Sequence, residues 1–266
     1  MRAYRAIFRI RFINSLQYRI AALAGLSTQF AWGFMEIIAF SAFYRSAPEA
    51  FPMTFSQTAS YIWLQQSLVL MFFPTFNDEI ITTITDGGIA YELVRPIDIY
   101  NRWFCQIMAA RISGVSLRCL PIIAVAILLP YPYGLQPPES ILHMAVFFLS
   151  LLLSFGVVIS FSLLVYVSLF YTMSVQGTRV IALNLVVFMS GGIIPIPFFP
   201  EPFRMAAELL PFGSMQNMPL RIYNGDILGM DMLQGITLQI FWLVVLILLG
   251  RTAMQFAAKR VVVQGG

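Results

Sequence analysis

Lysine is almost missing from this chain: of sixteen basic side chains only Lys259 is one, and there is a single histidine, His143, and two cysteines, Cys105 and Cys119. Each scarcity removes a class of chemistry. No lysine stands behind a glycine frame of the G-x-x-x-x-G-K-[ST] type, so ATP hydrolysis by that machinery is not expected of this chain. The cysteines fall at no metal-ligand or disulfide spacing, so no metal site is expected and both read as buried thiols. A lone histidine without a second ligand gives no reason to expect chemistry. Charge of either sign is also scarce, at 11% of residues against 59% hydrophobic. A soluble domain sits nearer half apolar and about a quarter charged, so an integral membrane protein is expected instead.

What fills the sequence is apolar runs. Crossing roughly 30 Å of hydrocarbon at about 1.5 Å per residue takes about 20 residues. On that measure the runs predict six spans, over 20–44, 58–76, 104–130, 141–171, 180–194 and 236–256. They are continuous rather than alternating, which excludes barrel strands. The expected fold is an all-α membrane protein, one permeating bundle over 1–266. The first run is about 25 residues long with no small-residue cleavage site after it, and reads as an anchor. Thirteen of the sixteen basic residues lie in the N-terminal stretch, in or just after the polar stretch 77–102, before the fifth span or after the sixth. Positive residues accumulate on the cytoplasmic side, so both termini are expected there. The net charge of +4 is then a topology signal and an attraction to anionic lipid, with no nucleic-acid partner implied.

Several segments break the apolar pattern. Within 1–19, Arg2, Arg5 and Arg9 share one helical face and Ala3, Ala6, Ile7 and Ile10 the other, which predicts an interfacial amphipathic helix. Glu36 is the one carboxylate placed inside a span, facing a cavity or hydrogen-bonded to another helix. Arg111 and Arg118, seven apart near one face of the third span, are read as reaching back to headgroups; the other reading lets Arg118 line a cavity next to Pro121. Gly25 and Gly33 permit close helix approach, at a dimer face or inside the bundle. Asp78 and Glu79 are adjacent and read as a solvated helix end. Between Gly87–Gly88 and Pro96, residues 89–94 are expected to form a short helix presented on a connection of about 26 residues. After the short fifth span, Gly191 and Gly192 lead into Pro195, Pro197, Pro200 and Pro202, interleaved with Phe198, Phe199 and Phe203. Such a segment cannot continue a helix yet is too apolar for an exposed loop, which predicts a re-entrant hairpin over 195–235 or an aromatic-packed external loop.

Two of these stretches carry a family resemblance. Gly88-Ile89-Ala90-Tyr91-Glu92-Leu93-Val94-Arg95-Pro96-Ile97 resembles the cytoplasmic connection between the second and third spans of ABC-2-type exporter permeases. Ser190-Gly191-Gly192 through Pro195, Phe199 and Pro200, then Leu210-Pro211-Phe212 and Pro219, resembles the fifth span and extracellular hairpin of the same family. The resemblance implies a half-channel in the bacterial inner membrane, paired with a second permease, identical or homologous, and with two ABC ATP-binding subunits that hold ATP and magnesium. It implies coupling through the connection around Asp86 to Tyr100, where Glu92, Leu93, Arg95, Pro96 and Asp98 are the expected contacts, and a pathway between the two permeases lined mainly by the first, second and fifth spans. Glu36 and Arg118 are the pathway or intramembrane polar candidates from the residues. From the residues alone, an ion- or proton-coupled secondary transporter using Glu36, a membrane-embedded enzyme and a structural subunit remain open.

Overall fold

The computed structural model describes residues 2–17, 19–46, 51–172 and 174–259, with side chains 19–23 outside that description. Among the described residues all regular structure is helical. The chain runs α1 (Arg2–Leu16), α2 (Arg19–Ser46), α3 (Phe55–Phe72), α4 (Asp78–Thr85), α5 (Ile89–Leu93), α6 (Ile99–Leu128), α7 (Ile141–Ser168), α8 (Val175–Met189), α9 (Glu201–Leu209), α10 (Asn217–Tyr223) and α11 (Gly229–Ala258), with a 3-10 turn at Ile196–Phe198. Helix starts are set by side-chain caps. Thr54 and Gln57 form a reciprocal capping box at α3, Ser140 caps α7 and Ser174 caps α8; each oxygen takes an orphan N–H of the first turn. The helix α3 stops at Phe72, ahead of Pro74, which disfavours helical geometry before it.

Three helices, α6, α7 and α11, are long and apolar enough to cross a membrane by length and composition, with mean hydropathies of 1.7, 2.5 and 2.2. The expectation of six spans is met to that extent. Helix α3 is diluted by polar residues, and α8, at 15 residues, is shorter than the roughly 20 a straight crossing needs. In α3 the dilution has a physical reason. Thr58, Ser60, Gln65, Gln66 and Ser67 are all buried because α3 is enclosed by protein, packed against α2, α6, α7 and α10. A helix enclosed by protein needs partners for polar groups more than it needs lipid-compatible surface.

The main core joins Tyr61, Leu64 and Phe72 of α3 to Trp103 and Ile107 of α6, Phe155 and Leu163 of α7, and Leu220 and Ile222 of α10. A second cluster sets Ile37 and Phe40 of α2 against Ile62 and Trp63 of α3 and Ile122 of α6. Trp63 closes that layer by donating its indole N–H to the Tyr133 carbonyl at 2.9 Å. Gly33 makes room for it, since a Cβ there would lie 3.0 Å from the ring, and Gly25 receives the guanidinium of Arg118. Both glycines therefore serve contacts inside the chain. The cysteines are free thiols, half-buried rather than fully enclosed, and His143 bonds Ser140 at the start of α7 through Nδ1, at 2.8 Å.

Against α6 lies α1, and it has three faces rather than the expected two. Tyr4, Ile7, Phe8, Arg11 and Phe12 are half-buried against the protein; Arg2, Arg5 and Arg9 point away; Ala3, Ala6, Ile10 and Ile13 form an exposed apolar strip. At about 100° per residue these faces are spread around the whole helix. Ile7 thus leaves the lipid-type face on which the sequence pattern put it.

Replacing Gly33 with Val drives a side chain into the Trp63 ring, and overpacking of this kind costs about 1–3 kcal/mol. A lowered thermal midpoint of the purified protein is the expected result, while Ala31→Val on the exposed side of the same helix leaves the midpoint unchanged.

Candidate functional site

The connection after α3 is built as a clamped stub. Asn77 Oδ1 accepts the Glu79 N–H at 2.8 Å and starts α4, and its own N–H donates to the Tyr166 hydroxyl of α7 at 2.5 Å. The two first-turn carboxylates, expected as a solvated end, are instead tied to distant helices. Arg179 of α8 donates to Asp78 at 2.9 Å, and Arg11 of α1 donates to Glu79 through both terminal nitrogens, Nη1 at 2.5 Å. The hydrogen bond from Arg11 holds the Glu79 carboxyl below the usual glutamate range, against partial desolvation acting the other way. Gly87, at φ +75°, turns the chain where a side chain would be strained. The short helix α5 follows over Ile89–Leu93, within a residue of the expected one, anchored by buried Ile89.

The five expected coupling residues divide. Glu92 is turned inward, paired with Arg102 of α6 and, at 3.7 Å, with Arg95. Asp98 accepts the Asn101 N–H at 2.8 Å and caps α6. Arg95, 55% exposed at its side chain, Pro96 and Leu93, 40% exposed, face outward. Beside them stand two residues that the sequence reading did not single out: Tyr91 and Val94 are 79% and 82% exposed. Their signal was available, because residues three apart share a helical face and the opposite face carries Ile89. The stub ends in an apolar tip on a braced base.

The second feature is the segment from Ser190 to Leu228. Helix α8 ends at Met189, five residues before the expected end of the fifth span, and Gly191 turns the chain at φ +84°. Pro195 starts the 3-10 turn and is buried. Phe199 stacks on Phe188 at 5.9 Å and meets Phe203 at 5.1 Å, while Pro200 is exposed and precedes α9. Residues 211–217 are all buried, with Phe212 edge-on to Phe161 at 5.8 Å. Of the residues expected there, Pro195, Pro211 and Phe212 are buried, Phe199 is half-buried and Pro200 is exposed.

Buried irregular backbone must find hydrogen-bond partners, since an unmade bond to a buried carbonyl costs about 1–3 kcal/mol. Backbone bonds within the segment supply many of them, and three glutamines supply those at the 191–192 and 214 turns. Gln65 donates to the Gly192 carbonyl at 2.8 Å. Gln216 donates to Gly191 O at 2.9 Å, to Gln65 Oε1 at 3.1 Å and to the Tyr61 hydroxyl at 3.3 Å. Gln239 of α11 donates to Ser214 O at 2.9 Å and Ser150 O at 3.2 Å, and its Oε1 accepts from the Ser150 hydroxyl. Ser154 donates to Met215 O, and the Trp242 indole to Leu209 O at 2.8 Å. Gln65 lies ten residues into α3 and Gln239 ten residues into α11, so both place the 191–192 and 214–216 turns about 15 Å from those helix starts. Arg221 then ties α10 to Glu208 at 2.6 Å and to Asp226.

Glu36, expected as a pathway residue, accepts a hydrogen bond from Gln66 of α3 at 3.4 Å, a contact between neighbouring helices. The Arg118 guanidinium lies against Gly25, about 9 Å from the start of α2 by helical rise, so the two do not meet. Arg111 departs most from the sequence reading. Instead of reaching out to headgroups it is 3% exposed, donating to Thr75 Oγ1 at 3.1 Å and Ser162 Oγ at 3.4 Å. It fixes the α3–α4 break to α7. No group of three or more metal-type ligands occurs among the described residues.

Gln216→Leu strands the Gly191 carbonyl and removes the donor to two side chains of α3, Gln65 and Tyr61, so a loss of about 1–3 kcal/mol in stability is expected, read as a lower thermal midpoint; Gln234→Leu, on the exposed side of α11, is the neutral comparison. The Arg11–Glu79 pair has a defined pH sign. A carboxyl whose folded pKa is depressed contributes stability above its ordinary value of 4.5, lost as pH falls through the lower folded value. Hydrogen exchange in α1 should therefore accelerate only below that range, and Glu79→Gln should remove the dependence.

Residues 30–265 match a family profile described as ABC-2 family transporter protein. No curated protein matches the chain, and no solved structure does. The match takes in α3 to α11 with their clamped stub and glutamine-held turns and most of α2, but not α1. This chain belongs to the ABC-2 transporter family, as a non-catalytic membrane permease component of an ABC transporter that associates with ABC ATP-binding subunits.

Proposed function

We propose that the chain is one permease half of an ATP-driven exporter in the bacterial inner membrane, with both termini, α4 and α5 on the cytoplasmic side. In this reading six segments cross: α2, α3, α6, α7, α8 together with the proline-rich turns that follow it, and α11. The 190–228 segment enters from the outer side and returns, its deepest turns near mid-membrane. Support comes from the 15 Å depth given independently by Gln65 and Gln239, half of roughly 30 Å of hydrocarbon. A second permease, identical or homologous, docks against α2 and α8. Of the residues of α8 only Ala182 and Val186 are buried, and Val180, Ile181, Leu185 and Phe188 stand exposed.

The observation that carries the reading is the apolar tip of α5. Tyr91, Leu93 and Val94 are exposed on a stub braced by Arg11–Glu79, Arg179–Asp78 and Arg111–Thr75. An apolar anchor exposed on a rigid support is what a partner surface recognises. One of two ATP-binding subunits docks there and holds the ATP and magnesium, with Arg95 and Asp98 at the rim. Movement of that subunit reaches α1, α6 and α8 through three contacts and shifts the balance of two permease states; a few kcal/mol changes their ratio by orders of magnitude.

Val94→Asp and Arg95→Glu should leave the amount of protein in the membrane unchanged and cut substrate-stimulated ATP hydrolysis of the assembled transporter severalfold. Stimulation that persists in both variants would overturn the docking assignment.

A further inference from the structure

A cleft of about 220 Å³ opens between α1, the turn before α6 and the first turns of α6. Its walls carry Arg11, Arg95 and Arg102 together with Ile7, Ile10 and Ile97. No carboxylate lines it. Glu79 and Glu92, the partners of these arginines, stand outside the lining. Each guanidinium has five N–H donors, and the two carboxylates engage only part of the fifteen. Three cations against two anions leave one positive charge, with spare donors on its arginines.

We propose that this cleft binds the phosphate headgroup of an anionic phospholipid of the inner leaflet, a proposal that rests on the cytoplasmic placement of α1 and α5 given above. Guanidinium groups match phosphate oxygens in paired, charge-assisted hydrogen bonds, and one phosphodiester balances the residual charge. The isoleucines select a lipid over a free anion. Ile10 belongs both to the cleft and to the exposed apolar strip of Ala3, Ala6 and Ile13, so the headgroup pocket is continuous with a surface suited to the glycerol and upper acyl chain. Arg2, Arg5 and Arg9, exposed on the adjoining face, add general attraction to an anionic leaflet. A bound headgroup shares Arg95 and Arg102 with Glu92, which belongs to α5. Lipid charge would therefore bear on the orientation of the tip that receives the ATP-binding subunit.

The full-length chain, purified in a mild detergent and given equal amounts of phosphatidylglycerol and phosphatidylcholine, is weighed by native mass spectrometry with its retained lipids. One phosphatidylglycerol should be retained in about tenfold preference, and Arg95→Gln, at an exposed position, should reduce that retention about five- to tenfold, in line with roughly 1 kcal/mol per arginine near a charged headgroup. Arg102→Gln should act in the same direction, while Arg2→Gln with Arg5→Gln should leave the discrete lipid bound. Equal retention of the two lipids, or loss through the Arg2 and Arg5 changes without loss through Arg95→Gln, would overturn the proposal. Competition by inorganic phosphate or glycerol phosphate as effective as that by the lipid would assign the cleft to a soluble anion and overturn it equally. The assay contains no ATP-binding subunit, so its outcome is separate from the fate of the α5 docking assignment.

Discussion

Backbone carbonyls that leave a helix inside an apolar bundle must be given donors, and the arrangement of this protein follows from how that is done. A segment with Gly191, Gly192 and four prolines nearby cannot satisfy itself by helical bonding. Gln65 of α3 and Gln239 of α11 satisfy part of it from outside, and Gln216 from within the segment itself. The requirement explains why α3 carries buried polar residues and why Ser150 and Ser154 of α7 face the same turns. Were the segment an ordinary surface loop, water would meet these groups and the glutamines would have no structural reason to be buried.

At the other end of the molecule the governing interactions are charged. Arg11, Arg179 and Arg111 reach one connection from three sides. Exposed ion pairs are worth little individually, typically up to about 1 kcal/mol, and these are not offered as a source of overall stability. Their effect is geometric. They fix the connection that carries the short helix with its apolar tip relative to α1, α6 and α8. In the function proposed above, the braced tip would take up the movement of the ATP-binding subunit and the held turn would interrupt the bundle.

Much of this was legible in the sequence where the determinant is local. The short helix from Ile89 follows from glycine before it and Pro96 after it, and the interruption after the fifth apolar run from its glycines and prolines. What was not legible depends on partners far along the chain. Asp78 and Glu79 look like a solvated helix end until Arg179 and Arg11, 101 and 68 residues away, are brought to them. Arg111 read as a side chain reaching back to headgroups because its partners are remote in sequence; Thr75 and Ser162 receive the guanidinium inside the protein. The buried glutamines were visible as polar interruptions of apolar runs, but nothing local said that they face one another. Likewise the apolar strip of α1 was readable, whereas its division into protein-facing and exposed parts depends on α6.

The central claim is that the α5 tip is the docking surface of an ATP-binding subunit. The direct measurement is site-specific photocrosslinking from a reactive group placed at Tyr91, in the protein purified gently from its own host, with mass-spectrometric identification of the captured chain. Capture of an ATP-binding subunit at Tyr91 but not from a control position such as Ile141, exposed at the opposite end of the bundle, is the result this account predicts. A chain that repeatedly purifies alone and crosslinks to nothing at Tyr91, or that captures the ATP-binding subunit equally from Ile141, would contradict it.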